Sequence, residues 1–224
     1  MAQIIPALIV ADTYLYNDFE ELKDKFEKIK PFLADLGGWI QVDITDGEFV
    51  TSKTNLGLEE LAYFTKSANV EFHLMVLRLR DSIDRWIGLE PKRIIFHIEA
   101  SGPEDIKNII EKCRRAQIEV GLALNPETPT SSLKPWLDEI DVVMFMGVYP
   151  GHGGQDLISD AVTKIRLLRY SHSGIKIEID GGVKVDNILQ LKEAGADIFA
   201  IGSGILAMPD VGQAIADFKN VLSK

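Results

Sequence analysis

The sequence predicts an α/β fold: a single (β/α)8 TIM barrel, occupying residues 1–224 as one domain. Three observations predict it. Short apolar runs rich in Val and Ile recur eight times, the segments between several of them carry helical spacing, and the run ends fall about 28 residues apart on average, near the ~31 per unit of a ~250-residue barrel. Parallel strands need long crossovers and cover on both sheet faces, and alternation of strand with helix supplies both.

The runs are Ile4–Val10, Trp39–Asp43, Val70–Met75, Arg93–His97, Glu119–Leu124, Val142–Met146, Ile175–Asp180 and Ile198–Gly202, each too short for a helix. After the first, Phe19, Leu22, Phe26 and Ile29 line one face of a helix, with Glu21/Lys25 and Asp24/Lys28 paired on the other. Pro103 opens a helix over Glu104–Ala116, and Gly195 closes another after Lys192-Glu193-Ala194. No linker, low-complexity stretch or change of composition marks a domain boundary. The competing architecture, an open doubly wound sheet, would carry G-x-G-x-x-G after its first strand, and none stands there.

Hydrophobic residues make up 46% of the chain and charged ones 26%, enough for a large core. A net charge of −10 without a basic run argues against nucleic acid and anionic membranes as partners. The single cysteine, Cys113, excludes an internal disulfide, and Met1 to Val10 lacks a basic, export-like start, so the expected compartment is cytoplasmic. Apolar runs such as Val142 to Val148 fall far short of the ~20 residues of a membrane span.

In this fold the active site lies at the C-terminal strand ends, and these are polar. The second run closes with Gln41-Val42-Asp43-Ile44-Thr45-Asp46-Gly47, the third with His73, the fourth with His97 and Glu99, the seventh with Glu178-Ile179-Asp180-Gly181-Gly182. Alternation puts Gln41 with Asp43, and Glu178 with Asp180, on one face. Carboxylates in apolar strands cost free energy unless paired, hydrogen-bonded or metal-bound. A single such Asp reads best as a helix cap or loop carboxylate; Asp43 and Asp180, with His73 between them in sequence, read as an acid/base pair over one cavity.

Glycine forms the second constellation. Tyr149-Pro150-Gly151-His152-Gly153-Gly154-Gln155 follows the sixth run, Gly181-Gly182 the seventh, and Gly202-Ser203-Gly204 the eighth. One glycine pair is ordinary turn chemistry. Three at one barrel end predict a phosphate held by backbone N–H groups, at Gly153, Gly154, Gly182 and Ser203, and not by a Lys/Arg cluster.

In order along the chain, Val42-Asp43-Ile44-Thr45-Asp46-Gly47, His73-Leu74-Met75-Val76, Leu124-Asn125-Pro126-Glu127-Thr128-Pro129, Pro150-Gly151-His152-Gly153-Gly154-Gln155 and Asp180-Gly181-Gly182-Val183 resemble the motifs of the ribulose-phosphate 3-epimerase family. The resemblance runs from Ile5 to Ile205. It implies proton transfer at C3 of a ketopentose phosphate, with Asp43 and Asp180 as the two acid/base groups. It also implies a divalent metal (zinc, iron(II) or manganese) on Asp43, His73 and Asp180. A substrate surface of Ala7, Gln41, His73, Met75, Met146, Gly153, Gly154, Gly181, Gly182, Gly202 and Ser203 follows from the strand ends and this resemblance together. The expected partner is a small-molecule sugar phosphate, and the expected state a homo-oligomer.

The chain departs from the family pattern at Gln41, where the motif has His; at Ala7, where it has Ser; at Thr45, for Met; and at His152, for Phe. An amide oxygen binds zinc less well than an imidazole, so weak metal retention is expected. Lys53 is a candidate substrate contact, with an exposed loop lysine the simpler reading. His97 either touches the site or hydrogen-bonds Glu99 or backbone. His172 reads as solvent-exposed, Cys113 as structural, and Trp39, Trp86 and Trp136 as packing. Two other functions fit: a weakly catalytic sugar-phosphate-binding barrel, or an epimerase of another ketose phosphate such as allulose 6-phosphate. A decarboxylase or aldolase of the same fold ranks last, because Asp43-Ile44-Thr45-Asp46 lacks the lysine of Asp-x-Lys-x-x-Asp.

Overall fold

In the computed structural model, which describes residues 2–9, 18–151, 154–158 and 160–223, eight parallel strands close into a barrel in chain order. They are β1 (Gln3–Leu8), β2 (Trp39–Thr45), β3 (Asn69–Met75), β4 (Arg93–His97), β5 (Glu119–Leu124), β6 (Val142–Met146), β7 (Lys176–Asp180) and β8 (Ile198–Ile201). Every strand overlaps its expected apolar run; Val10, at the end of the first run, lies outside the described residues.

The crossover helices form where amphipathic spacing and capping coincide. In α1 (Asp18–Ile29), Leu22, Phe26 and Ile29 are fully buried while Lys25 pairs with Glu21 at 2.5 Å on the wetter side. Next come α2 (Leu58–Thr65) and the short α3 (Ile83–Ile87). In α4 (Pro103–Arg115), proline opens the first turn, where its missing N–H is not needed, while Glu104 and Asp105 behind it and Lys112, Arg114 and Arg115 in the last turn complement the helix dipole. α5 (Asp160–Ser171) precedes β7, and α6 (Ile188–Ala194) stops at Gly195, whose φ of 115° only glycine adopts readily. After β8 come the one-turn α7 (Ser203–Leu206) and α8 (Val211–Leu222), the latter capped by Asp210, which accepts from the Gln213 amide at 2.9 Å.

Strict alternation fails in one place. Between β5 and β6 the described chain forms only a 3₁₀ turn, Thr130–Leu133. Pro126, Pro129 and Pro135 each remove a backbone donor there, which no longer helix tolerates. Leu133 and Trp136 are nonetheless buried and cover that face of the barrel. No helix among the described residues is long and apolar enough to cross a membrane.

Outward-facing strand residues pack under the helices in one large apolar layer, while Ile5, Ile95, Ala123, Val142, Met144 and Ile198 fill the lumen. Lower in the lumen sits a charged plug. Arg93 of β4, 1% exposed, hydrogen-bonds Glu71 of β3, donates to Glu119 at 2.7 Å, and lies 3.6 Å from Glu178 of β7. Its guanidinium also stacks 4.5 Å from the Trp39 ring centroid, so Trp39 packs against a charge and not only against core. Burial and the neighbouring Glu71 raise the Glu178 carboxyl well above the usual carboxylate range.

Candidate active site

Parallel register sets the site. Asp43 of β2 lies opposite His73 of β3, Gln41 opposite Ala7 of β1, and Asp180 of β7 opposite Met146 and Ala200. Barrel curvature then brings β7 across the lumen to β2 and β3. His73 Nδ1 lies 3.1 Å from both Asp43 Oδ1 and Asp180 Oδ2. The Gln41 amide nitrogen donates to the same two oxygens, at 2.7 and 2.8 Å. One amide and one imidazole therefore clamp two carboxylates that approach from opposite walls. Gln41 and His73 are fully buried, Asp43 and Asp180 nearly so.

Electrostatics follow from that burial. Desolvation, then the Asp180 charge, raise the Asp43 carboxyl above its ordinary value. For His73, burial favours the neutral ring, but the hydrogen bonds to Asp180 and Asp43 outweigh it and take the imidazole up to about 10. Burial holds the next histidine, His97, down at about 4.

Asp43, His73 and Asp180 each offer one donor atom, the three within 4.8 Å of one another. The 3.1 Å nitrogen–oxygen separations are close to the ~3.0 Å edge between ligands about 2.1 Å from one ion at right angles. Two carboxylates and an imidazole suit zinc, iron(II) or manganese. Gln41 Oε1 is buried without a partner, which costs about 1–3 kcal/mol. Turning the nearly isosteric amide over would place that oxygen against the two carboxylate oxygens, an arrangement that needs a cation between them. The residues thus fit a divalent ion, with a fourth donor weaker than imidazole.

Above the carboxylates opens a cavity of about 350 Å³. Ala7, Asp43, His73, Met75, Met146, Gly154, Gly181, Gly182, Gly202 and Ser203 line it, so the structure brings these sequence-derived candidates together. Gln41 is placed differently: it is buried and does not line the cavity, reaching it only through the carboxylates. Gly153 and His152 lie outside the described residues. The glycine loops also have a packing reason for their composition. A Cβ on Gly181 would fall 2.4 Å from Val148 Cγ2, and one on Gly182 2.7 Å from the Leu157 backbone. Lys184 is the one lysine or arginine lining the cavity among the described residues, and Asp156 holds it at 2.6 Å.

Other residues take the simpler readings. Lys53 is exposed and forms a backbone β-bridge with Asp46; His172 is exposed; Trp86, Trp136 and Cys113 are buried. Asp46 is a loop carboxylate, accepting from the amides of Glu48, Phe49 and Leu77 and thereby tying together the loops after β2 and β3. Sequence reasoning missed Lys184–Asp156 and the cover that Phe49 gives His97, their rings 4.7 Å apart. Both pairings join loops from different strands, and no local spacing signals them.

Residues 9–206 match the ribulose-phosphate 3 epimerase family. The chain is 33% identical over 222 residues to a ribulose-phosphate 3-epimerase of Escherichia coli K12, covering 96% of each. It is 35% identical over 208 residues to that of Serratia marcescens, covering 90% of this chain and 97% of the relative. Among solved structures, the 3-keto-L-gulonate-6-phosphate decarboxylase of Vibrio cholerae superposes with a TM-score of 0.74 over 100% of this chain and 98% of the other. At 11% identity that likeness is one of fold.

Proposed function

Because the chain belongs to the ribulose-phosphate 3-epimerase family, and is thus an epimerase, a type of isomerase, we propose that it interconverts D-ribulose 5-phosphate and D-xylulose 5-phosphate by proton transfer at C3. The observation that carries this reading is the pair Asp43 and Asp180, from opposite walls of one cavity floor and held by a shared amide and imidazole.

Each aspartate commits one oxygen to Gln41 and His73; among the described residues no hydrogen bond engages the other oxygen. Those second oxygens are the proton carriers. One takes the C3 proton, leaving an enediolate, and the other returns a proton to the opposite face. Burial and the neighbouring Asp180 charge raise the Asp43 carboxyl above its ordinary value, which favours its protonated form and suits it to carry a proton. His73 fixes the pair, and Met75, Met146 and Ala7 exclude water from the reacting carbon. The phosphate sits against backbone N–H groups of Gly154, Gly182, Gly202 and Ser203, because the lysine in that wall is already neutralised by Asp156. Asp43, His73 and Asp180 would hold a divalent ion, joined by Gln41 through its oxygen, and the ion's charge would lower the cost of the enediolate.

Incubation with ribulose 5-phosphate in D2O tests the reading. The expected result is deuterium at C3 of both epimers as they equilibrate. Deuterium-free substrate with no second epimer, while the protein still binds it, would instead make the chain a sugar-phosphate-binding barrel.

A further inference from the structure

We infer that His97 and Glu99 are positioning residues that fix a proton on His73 Nε2, so that His73 Nδ1 is the atom presented to the two aspartates and to an ion held with them. The inference deepens the proposed function, resting on the use of His73 at that site, but its readouts need no turnover.

His73 Nε2 and His97 Nε2 lie 3.0 Å apart, both rings fully buried and end to end, with centroids 5.1 Å apart and an interplanar angle of 25°. Two imidazole nitrogens at that distance share one proton, so one ring donates and the other accepts. The far side of His97 decides which. Its Nδ1, which makes no well-formed hydrogen bond, faces a carboxylate oxygen, Glu99 Oε2, at 3.4 Å. A bare Nδ1 there would set a lone pair against an anion; a protonated Nδ1 is attracted to it. With its proton on Nδ1, His97 accepts at Nε2, and His73 must donate from its own Nε2. The Phe49 ring covers His97 and keeps water from competing.

Glu99 is itself held in place. Its Oε1 accepts from the Asn125 backbone amide at 2.8 Å and from the Thr128 hydroxyl. Both belong to the Asn125-Pro126-Glu127-Thr128-Pro129 segment, which the buried Lys164 fastens by donating to the carbonyls of Pro126 and Thr128. That segment lines no part of the cavity, so its contribution to the site runs through Glu99, His97 and His73 in turn.

The chain has four histidines, so imidazole ¹⁵N spectra of the whole, metal-free protein are simple to assign with His97→Gln, His152→Gln and His172→Gln, which leave His73 by elimination. The expected spectrum shows His97 protonated at Nδ1 and bare at Nε2, with His73 protonated at Nε2. A proton on His97 Nε2, or a bare His73 Nε2, overturns the inference, and the wild-type spectrum decides this without any variant's folding. The second readout is Zn(II) affinity by chelator competition. His97→Phe keeps the ring but accepts nothing and is expected to lose about 10–100-fold. His97→Gln, whose amide oxygen still accepts from His73, should lose less. Wild-type affinity in a folded His97→Phe overturns the inference. If these tautomers are found but nothing is epimerised, only the functional reading fails; if C3 exchanges while the tautomers are reversed, only this one does.

Discussion

A single amide donating to two carboxylates, with its own oxygen buried and unpartnered, is the most unusual arrangement in this protein. It makes Gln41 the residue whose replacement is most informative. Imidazole is a better zinc ligand than an amide, so Gln41→His is expected to raise zinc affinity in chelator competition; unchanged affinity would mean that the amide does not limit the site. At the opposite extreme, Cys113 is fully buried and burial alone pushes its thiol up to about 12. It should resist a thiol reagent in the native protein at pH 8 and react once in urea; fast native labelling would contradict its structural role. Asp43, His73 and Asp180 were legible in the sequence because each is a polar residue closing an apolar run. The approach of His97 to Glu99 is one of the readings the sequence allows; the His73–His97 contact is not legible there, because it depends on which strands become neighbours and how far each leans into the lumen.

At the scale of elements, the apolar runs located the strands well, since Val/Ile-rich segments bounded by turn residues have little choice of structure. The β5–β6 connection, to which the sequence assigns no particular helix, departs from the general alternation where its three prolines stand; barrel periodicity predicts that a crossover exists, not that it is helical. Caps were equally local. Asp210 closes the first turn of α8, whose Ala214, Ile215 and Phe218 are buried, and Asp210→Ala should cost about 1 kcal/mol in urea unfolding. A midpoint unchanged from wild type would show that α8 is held by packing alone.

Across the whole molecule, the barrel carries charge through its centre, from the Arg93 plug with Glu71 and Glu178 to the aspartates above. Removing one partner of a buried ion pair leaves the other uncompensated, so Arg93→Met is expected to destabilise the fold by about 3–5 kcal/mol. A loss below 1 kcal/mol would mean that water or proton uptake relieves the two glutamates. None of this plug could be ordered into layers from sequence, because strand stagger decides which inward residues share a level.

The central claim is that Asp43 and Asp180 serve opposite faces of C3. It is tested most directly by following C3 deuterium incorporation in D2O from ribulose 5-phosphate and, separately, xylulose 5-phosphate with Asp43→Asn and Asp180→Asn. The account predicts that each variant loses epimerisation by at least the ~10²–10⁴-fold typical of removing an acid/base group, and that any residual exchange favours one epimer in one variant and the other epimer in the second. Near-wild-type epimerisation in either variant, or residual exchange with the same facial preference in both, would contradict it.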